Sequence, residues 1–275
     1  MDKKLIEQKI AVFLLGACIV ITLFLLIAVI GHILQKGLGQ ISVEFLLEEP
    51  RDMGREGGIF PTIVGTIYLV VISLIISVPI GVLSAIYLTE YTRKGPVLKA
   101  IRFATESLAG IPSIIFGLFG FTFFVIFLKL GWSVLSGSLT LAFMMLPTIV
   151  RASEEAIKSV PDAYRLGSFA LGATKWQTIR KVVLPTALPG IITGIILGIG
   201  RAVGETAAVI LTMGSALRIP WTIMQPARTM SVHLYILASE GISMEKAYGT
   251  AAVLIVIVIF INFLANFVMR KMISV

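Results

Sequence analysis

Two ionisable residues, Arg201 and Glu205, lie inside an otherwise uncharged stretch that spans positions 188–213. A charged arginine at the centre of a bilayer costs about 2.5–3.5 kcal/mol even on the mildest scale, so we expect it to face protein or water rather than lipid. Its planar guanidinium offers several donors at once, which suits an oxyanion. We therefore predict that Arg201 contacts an anion, while Glu205 holds Arg201 in place and prevents the anion from being trapped.

A purely structural role for the same two residues remains an alternative. Arg201 and Glu205 are four positions apart, so on a helix they would form an ion pair. Such pairs contribute only about 0.2–0.5 kcal/mol in water, and the order with the acidic residue first is the better one. The order here is reversed, which makes a structural pair a weak reason to bury both charges.

Small residues share the predicted face of this helix. With about 3.6 residues per turn, a helix continuous through position 213 places Gly190, Gly194 and Gly198 beside Arg201 and Glu205. Small residues at this spacing allow another helix backbone to approach closely. We therefore predict that the three glycines pack against a neighbouring helix and that the whole face points into the helix bundle or along a water-filled path.

The composition indicates a membrane protein that positions this helix among others. The chain is 57% hydrophobic and only 14% charged, whereas soluble domains carry about 25% charged residues. A spanning helix needs about 20 apolar residues. Six stretches qualify, at positions 10–34, 59–88, 107–128, 131–150, 188–213 and 247–269. The predicted fold class is all-α: a polytopic membrane protein with six transmembrane helices.

The distribution of basic residues predicts the orientation. If the N-terminus is cytoplasmic, the inner segments hold fifteen Lys and Arg residues and the outer segments hold seven. Basic residues accumulate in cytoplasmic loops, so both termini are expected inside and the net charge of +8 does not indicate nucleic-acid binding. His233 falls in the second long outer loop, at about 215–246, where we expect a structural role.

The long inner loop, at 151–188, contains several signals for helix ends. Pro161 suits the start of a helix, and Gly172 suits its end because glycine accepts the left-handed conformation. Thr174 and Gln177 have the spacing of a capping box for a second helix. The predicted structure is a rigid helix, glycine turn and helix that a partner could push. The alternative is an amphipathic connector on the membrane surface, anchored by Phe169 and Trp176.

The sequence lacks the motifs of a chain that supplies its own energy or holds a metal. It contains no Gly-x-x-x-x-Gly-Lys-Ser/Thr loop. It has one cysteine and two histidines, so we expect no metal site. We expect no cofactor in this chain and no catalytic residues.

The same loop resembles that of the permease subunits of ABC importers. In that family a Gly is followed, after nine residues, by Ile or Val, one residue and Leu-Pro, as Gly172, Val182 and Leu184-Pro185 are here. Leu166-Gly167-Ser168 stand where the family has Glu-Ala-Ala. Four further segments resemble the PstA-type phosphate permeases: GIFPTIVGT (58–66), GIPS (110–113), RAVGETA (201–207) and TMSVHLY (229–235).

This resemblance implies an ABC importer type I permease fold in a prokaryotic inner membrane. Positions 1–58 would form an N-terminal transmembrane helix and outer loop, and 59–275 the permease domain. The implied ATPase-docking residues are Pro161, Phe169, Ala170, Leu171, Gly172, Ala173, Leu184 and Pro185. The implied path residues are Arg201, Glu205 and Thr206.

The resemblance also implies the partners and the substrate. They are inorganic phosphate, a PstC-type second permease, a dimer of PstB-type ATPases that binds ATP and Mg, and an extracytoplasmic PstS-type phosphate-binding protein. Membrane lipid surrounds the assembly. A permease for another anion and an ion-coupled transporter in which Arg201 and Glu205 relay protons are the remaining alternatives.

Overall fold

The computed structural model describes residues 3–93 and 95–273 of the chain. Twelve α-helices lie within this part of it. In chain order they are α1 (Lys3–Gly37), α2 (Val43–Leu47), α3 (Phe60–Ile86), α4 (Pro96–Ala109), α5 (Ser113–Gly120), α6 (Val134–Lys158), α7 (Asp162–Ala170), α8 (Lys175–Thr178), α9 (Leu184–Gly204), α10 (Ala207–Thr212), α11 (Met230–Ser239) and α12 (Met244–Ile273).

Shorter elements join these helices. Turns of π-helix extend α3 at Tyr87–Tyr91 and α5 at Phe121–Phe127, and a third at Ile179–Val183 connects α8 to α9. Strands β1 (Pro50–Arg51) and β2 (Glu56–Gly57) form a short antiparallel hairpin after α2. Turns of 3-10 helix lie at Leu38–Gln40 and Asp52–Gly54.

The candidate membrane spans agree with the six predicted from composition. Within the described residues, five helical stretches are long and apolar enough to cross a membrane: Gln8–Gln40, Phe60–Tyr91, Val134–Lys158, Lys175–Gly204 and Met244–Leu264. A sixth is a bent pair of helices, Pro96–Ala109 and Ser113–Phe127. The predicted all-α fold class is therefore confirmed, and one of the six spans is a bent pair of helices.

The third predicted span, at 107–128, is wrong as a single straight helix. α4 ends at Ala109, α5 begins at Ser113, and the two are bent by 99°. Gly110 and Pro112 occupy the break. Proline has no N–H to donate to the preceding turn and disfavours helical geometry in the residue before it, so hydrophobic character continues across these positions while the helix does not.

The fifth predicted span, at 188–213, is also interrupted. α9 ends at Gly204, Glu205 is extended with φ −70° and ψ 130°, and α10 begins at Ala207. The backbone carbonyl of Glu205 accepts a hydrogen bond of 2.7 Å from the Ser231 hydroxyl of α11. A tertiary contact thus takes the place of the next helical turn, and the predicted continuous face ends at Gly204.

Helix α6 lies at the centre of the bundle and contacts α3, α4, α5, α9 and α10. Leu141, Met145 and Ile149 of α6 are almost completely buried. On the α3 side, a Cβ added to Gly81 would lie 2.7 Å from Ile149 Cγ2. Glycine there allows the two helices to approach more closely than any larger residue would.

Helix α3 connects the two ends of the bundle. Near its start, the Thr66 hydroxyl accepts a hydrogen bond of 2.9 Å from the backbone N–H of Met230, the first residue of α11. Its π-helical extension at Tyr87–Tyr91 lies beside α7. We call the end of the bundle near Thr66 the α11 end and the end near Tyr87–Tyr91 the α7 end. Helix α1 packs against α12 at the periphery and exposes most of its apolar side chains, as a lipid-facing helix does.

Candidate functional site

The first part of the site is the segment at the α7 end that was predicted as helix, turn and helix. Pro161 directly precedes α7, and Gly172 adopts a φ of +81° just after it. The Gly172 N–H donates to the Phe169 carbonyl at 2.9 Å, and the Ala173 N–H to the Ser168 carbonyl at 3.2 Å. These two bonds form a Schellman motif, which ends the helix where glycine was predicted to end it.

The predicted capping box is confirmed at the start of α8. The Thr174 hydroxyl accepts from the Gln177 backbone N–H at 3.3 Å, and the Gln177 side chain accepts from the Thr174 N–H at 2.8 Å. Each half of the motif satisfies a donor that the first turn would leave free. Local sequence therefore fixes both helices and the turn between them.

The outer surface of this segment exposes several large apolar side chains. Leu171 is 90% exposed, Leu166 66% and Phe169 43%. Among the predicted docking residues, those exposed on this segment are Pro161, Phe169, Ala170, Leu171 and Gly172. Ala173 is partly buried, whereas Leu184 and Pro185 begin α9 and lie on a different element. The docking role stays a prediction, and the geometry supplies an exposed apolar surface for it.

Arg165, a residue that the sequence analysis did not single out, ties α7 to two other helices. Its Nε and Nη2 both donate to Glu90 Oε1, at 3.1 and 2.9 Å. Its Nη1 donates to the Val160 carbonyl at 2.6 Å, and Nη2 to the Ile157 carbonyl at 3.0 Å. An ion pair with Asp162 Oδ1 at 3.2 Å completes the set. The side chain of Arg165 is 15% exposed and that of Glu90 11%.

The second helix of the segment has its own contact with the same end of α3. The Lys175 ammonium lies 4.8 Å from the centre of the Tyr91 ring, within the range of a cation–π interaction. The hydroxyls of Ser168 in α7 and Thr178 in α8 are 2.9 Å apart. The segment is thus linked within itself and held by two neighbouring residues of one π-helical turn, Glu90 and Tyr91.

The second part of the site is the exposed face of α9, which carries Arg201. At helical spacing, this face consists of Thr186, Gly190, Thr193, Leu197, Arg201 and Gly204. Within the described part of the chain, Arg201 makes no ion pair or hydrogen bond with another residue. Its guanidinium is therefore available to a ligand, to water or to a second protein.

The three glycines of α9 that were predicted to pack against another helix point toward α6. A Cβ added to Gly190 would lie 2.7 Å from Ala156 Cβ, and one added to Gly198 would lie 3.1 Å from Met145 Cε. One added to Gly194 would overlap Ala152 Cβ. Gly194 and Gly198 are buried while Arg201 is exposed, so Arg201 lies at the edge of the glycine face rather than at its centre.

Glu205 does not hold Arg201, and this part of the prediction is wrong. Glu205 is buried, and its Oε1 accepts a hydrogen bond of 3.3 Å from the Ala208 N–H at the start of α10. The break after Gly204 takes Glu205 off the helix that carries Arg201, so the two no longer share one helical face. The structural alternative of an Arg201–Glu205 pair is excluded for the same reason.

Thr206 and Gly204 line an open groove of about 520 Å³ with residues of α11 and α12. The other lining residues are Ser231, Leu234, Tyr235, Ala238, Ser239 and Leu254. Gly204 is one turn beyond Arg201 on the exposed face of α9. The groove therefore begins one helical turn after Arg201, and the buried Glu205 is not among the residues that line it.

His233 lies on α11, not in a loop, and is 1% exposed. Its Nδ1 is 3.3 Å from Nη1 of Arg228. Arginine cannot accept a hydrogen bond, so Nδ1 is the acceptor and the imidazole is neutral. Burial, with a smaller contribution from the Arg228 charge, lowers the pKa of His233 to about 4. A Cβ added to Gly54 would lie 2.6 Å from the His233 ring, which fixes the 3-10 turn between the strands against α11.

Comparisons with known proteins identify relatives of the chain. Residues 77–273 match the family described as binding-protein-dependent transport system inner membrane component. The chain is 32% identical to the probable ABC transporter permease protein YqgI of Bacillus subtilis (strain 168), over 97% of this chain and 96% of that protein. It is 35% identical to the phosphate transport system permease protein PstA 1 of Mycobacterium tuberculosis (strain CDC 1551 / Oshkosh), over 76% of this chain and 69% of that protein.

A solved structure extends the likeness to three dimensions. The chain is similar to a chain in the crystal structure of a bacterial alginate ABC transporter in complex with an alginate pentasaccharide-bound periplasmic protein, with a TM-score of 0.68. The alignment covers 96% of this chain and 95% of that one at 20% identity. At this identity the likeness shows the fold alone, and it confirms the predicted type I permease fold.

Proposed function

The chain belongs to the family of binding-protein-dependent transport system inner membrane components, and on this premise we propose that it is the PstA-type permease subunit of an ATP-driven phosphate importer. It would form the translocation path with a second, PstC-type permease. A dimer of PstB-type ATPases would bind ATP and Mg, and a PstS-type binding protein would deliver phosphate from outside.

The observation that carries the coupling part of the proposal is the segment formed by α7 and α8. It exposes Leu166, Phe169 and Leu171, and burying one such side chain against a partner contributes about 1.5–3 kcal/mol. A flexible loop would deform when a partner pushes it and would not transmit the displacement. This segment is held by a Schellman motif, a capping box and the bonds of Arg165, so displacement of its surface moves the helices attached to it. ATPase docking fits these features better than a passive connector does.

Arg201 and the relatives support phosphate as the solute. An unpaired guanidinium on the exposed face of a membrane helix is costly next to lipid, so the second permease or a water-filled path should cover it. Arginine matches the oxygens of phosphate through two parallel donors. A relative that is 35% identical is named a phosphate transport system permease protein. A permease for another anion would use the same guanidinium and is the second candidate.

We place the α7 end in the cytoplasm and both termini inside. Fifteen of the Lys and Arg residues then face the cytoplasm and seven face outward, which is the bias typical of membrane proteins. This orientation brings α7 to the compartment that contains ATP.

Reconstitution tests the function. The chain is purified with the second permease and the ATPases, inserted in liposomes, and given the binding protein and ATP. The expected result is ATP-dependent uptake of phosphate and little uptake of sulfate. Uptake of a different anion would replace phosphate as the substrate, and uptake by this chain alone under an ion gradient would establish the ion-coupled alternative.

A variant tests the docking surface. Leu171→Glu places a charge on a side chain that is 90% exposed, so the fold is expected to remain intact while ATPase copurification falls about tenfold or more. The control is Trp221→Glu, because Trp221 is 83% exposed in the loop that precedes α11, at the α11 end. Equal ATPase recovery with both variants would refute docking at α7.

A further inference from the structure

The bonds between Arg165 and Glu90 differ from the other ion pairs at the α7 end. Both of their side chains are largely buried, at 15% and 11% exposure, whereas in every other described ion pair at this end at least one side chain is 36% or more exposed. Glu155, which pairs with Lys158 at 3.0 Å, is 67% exposed. A buried charge whose partner is removed is left uncompensated, while an exposed pair contributes little. Among the described ion pairs at this end, Arg165–Glu90 is therefore the one in which loss of either partner leaves a largely buried charge uncompensated.

The link joins three helices at one point. The guanidinium starts on α7 and reaches Glu90 in the π-helical turn that ends α3. It also donates to the carbonyl of Ile157 in the last turn of α6 and to that of Val160 just after this helix. The same turn of α3 also supplies Tyr91 to Lys175 of α8. Both α7 and α8 are therefore attached to the end of α3.

We infer that Arg165 and Glu90 are positioning residues for energy coupling: their bond transmits displacement of α7 to α3. This inference rests on the proposed function, since it assigns to α7 the role of the surface that the ATPase moves. Helix α3 continues unbroken from Phe60 to Ile86 and through the π-helical turn to Tyr91. Its other end bonds α11 through Thr66 and Met230, so motion received at Glu90 reaches the groove at the α11 end.

The chemistry of the two side chains explains why this pair suits the role. A guanidinium has five donors in a fixed plane, and here two reach the carboxylate while others hold the end of α6. A lysine at this position would keep the charge, but its single ammonium could not reach Glu90 and both carbonyls together. Arg165→Lys should therefore fail to replace arginine, although the net charge and the basic character of the segment are unchanged.

The experiment measures coupling in the complete reconstituted complex. Glu90→Gln and Arg165→Lys are compared with wild type, and Glu155→Gln is the matched control because it makes the same carboxylate-to-amide change in an exposed pair. The readouts are solute transported per ATP hydrolysed and the amount of complex assembled. We expect this ratio to fall about tenfold in Glu90→Gln and Arg165→Lys, with normal assembly and no change in Glu155→Gln.

A second measurement does not depend on the solute. Amide hydrogen exchange in residues 162–178 of the purified chain should quicken in Glu90→Gln and Arg165→Lys and stay at the wild-type rate in Glu155→Gln. If the wild-type complex transports phosphate but both variants keep its coupling ratio and exchange rate, the inference is overturned and the proposed function stands. If the wild-type complex does not transport phosphate, the proposed function fails, and unchanged exchange in both variants would overturn the inference separately.

Discussion

Replacing Gly194 by alanine tests the packing that holds α9 against α6. The added Cβ would overlap Ala152 Cβ and lie 3.7 Å from its Cα, whereas carbon atoms pack at about 3.5–4.0 Å. The backbone of the two helices must therefore separate, and overpacking of this kind costs about 1–3 kcal/mol.

Gly200→Ala is the matched control because an added Cβ there meets nothing within 4 Å. Alanine favours a helix over glycine by about 1 kcal/mol at either position. This gain cancels when the two variants are compared, so their free energies of unfolding should differ by the overpacking cost of about 1–3 kcal/mol. Gly200→Ala itself should be neutral or more stable than wild type.

A compensating variant identifies the contact responsible. Ala152→Gly removes the Cβ that an alanine at position 194 would meet, so Ala152→Gly combined with Gly194→Ala should recover most of the lost packing. The assay is the free energy of unfolding in mixed micelles titrated with a denaturing detergent and followed by circular dichroism. A Gly194→Ala variant within about 0.5 kcal/mol of Gly200→Ala, or a loss that Ala152→Gly leaves in place, would refute the packing argument.

Three further predictions concern the remaining elements. Arg201→Ala should abolish phosphate uptake in the reconstituted complex while assembly continues, and Arg201→Lys should keep part of it because one cation remains. Thr174→Ala should lower the free energy of unfolding by about 1 kcal/mol through loss of the cap, measured by thermal unfolding with Gln177→Ala alongside. His233 has a folded pKa of about 4 and an unfolded pKa of about 6.5. As the pH falls, the unfolded chain therefore binds the proton first. The contribution of neutral His233 to the free energy of unfolding is fully present above pH ~6.5, and the free energy of unfolding should fall by about 3 kcal/mol as the pH approaches 4.

Each of these has a contrary result. Wild-type phosphate uptake by the Arg201→Ala variant would show that this guanidinium is not needed in the translocation path. Equal stability of Thr174→Ala and wild type would mean that the tertiary contacts of α8, and not its cap, fix the turn. His233→Gln should flatten the acid loss of stability, and an unchanged pH profile would assign that loss to other groups.

The helix and turn at the α7 end could be read from the sequence because every signal there is local. A proline before α7, a glycine at positive φ after it, and a Thr174–Gln177 box each act within a few residues. The apolar stretches are equally local, because about 20 such residues are enough to indicate a span. Their number agrees with the structure once the bent pair counts as one.

The breaks within two of those stretches could not be predicted from composition. Hydrophobicity continues through Gly110 and Pro112 and again through Glu205, so composition alone merges helices that the backbone separates. At Glu205 the chain leaves the helix because Ser231, 26 residues later, and the Ala208 N–H both bond to it. The prediction from helical periodicity assumed one continuous helix, and it therefore placed Glu205 beside Arg201.

The amino-acid sequence by itself determined the membrane spans, the family, the capped helix and turn at the α7 end, and the presence of an arginine too costly to leave against lipid. The tertiary structure decided which charges meet. Arg165 and Glu90 are 75 positions apart, and neither lies in a motif that would pair them. Their contact exists because packing around α6 brings the ends of α3 and α7 together, and a bond between distant residues depends on that packing rather than on spacing along the chain.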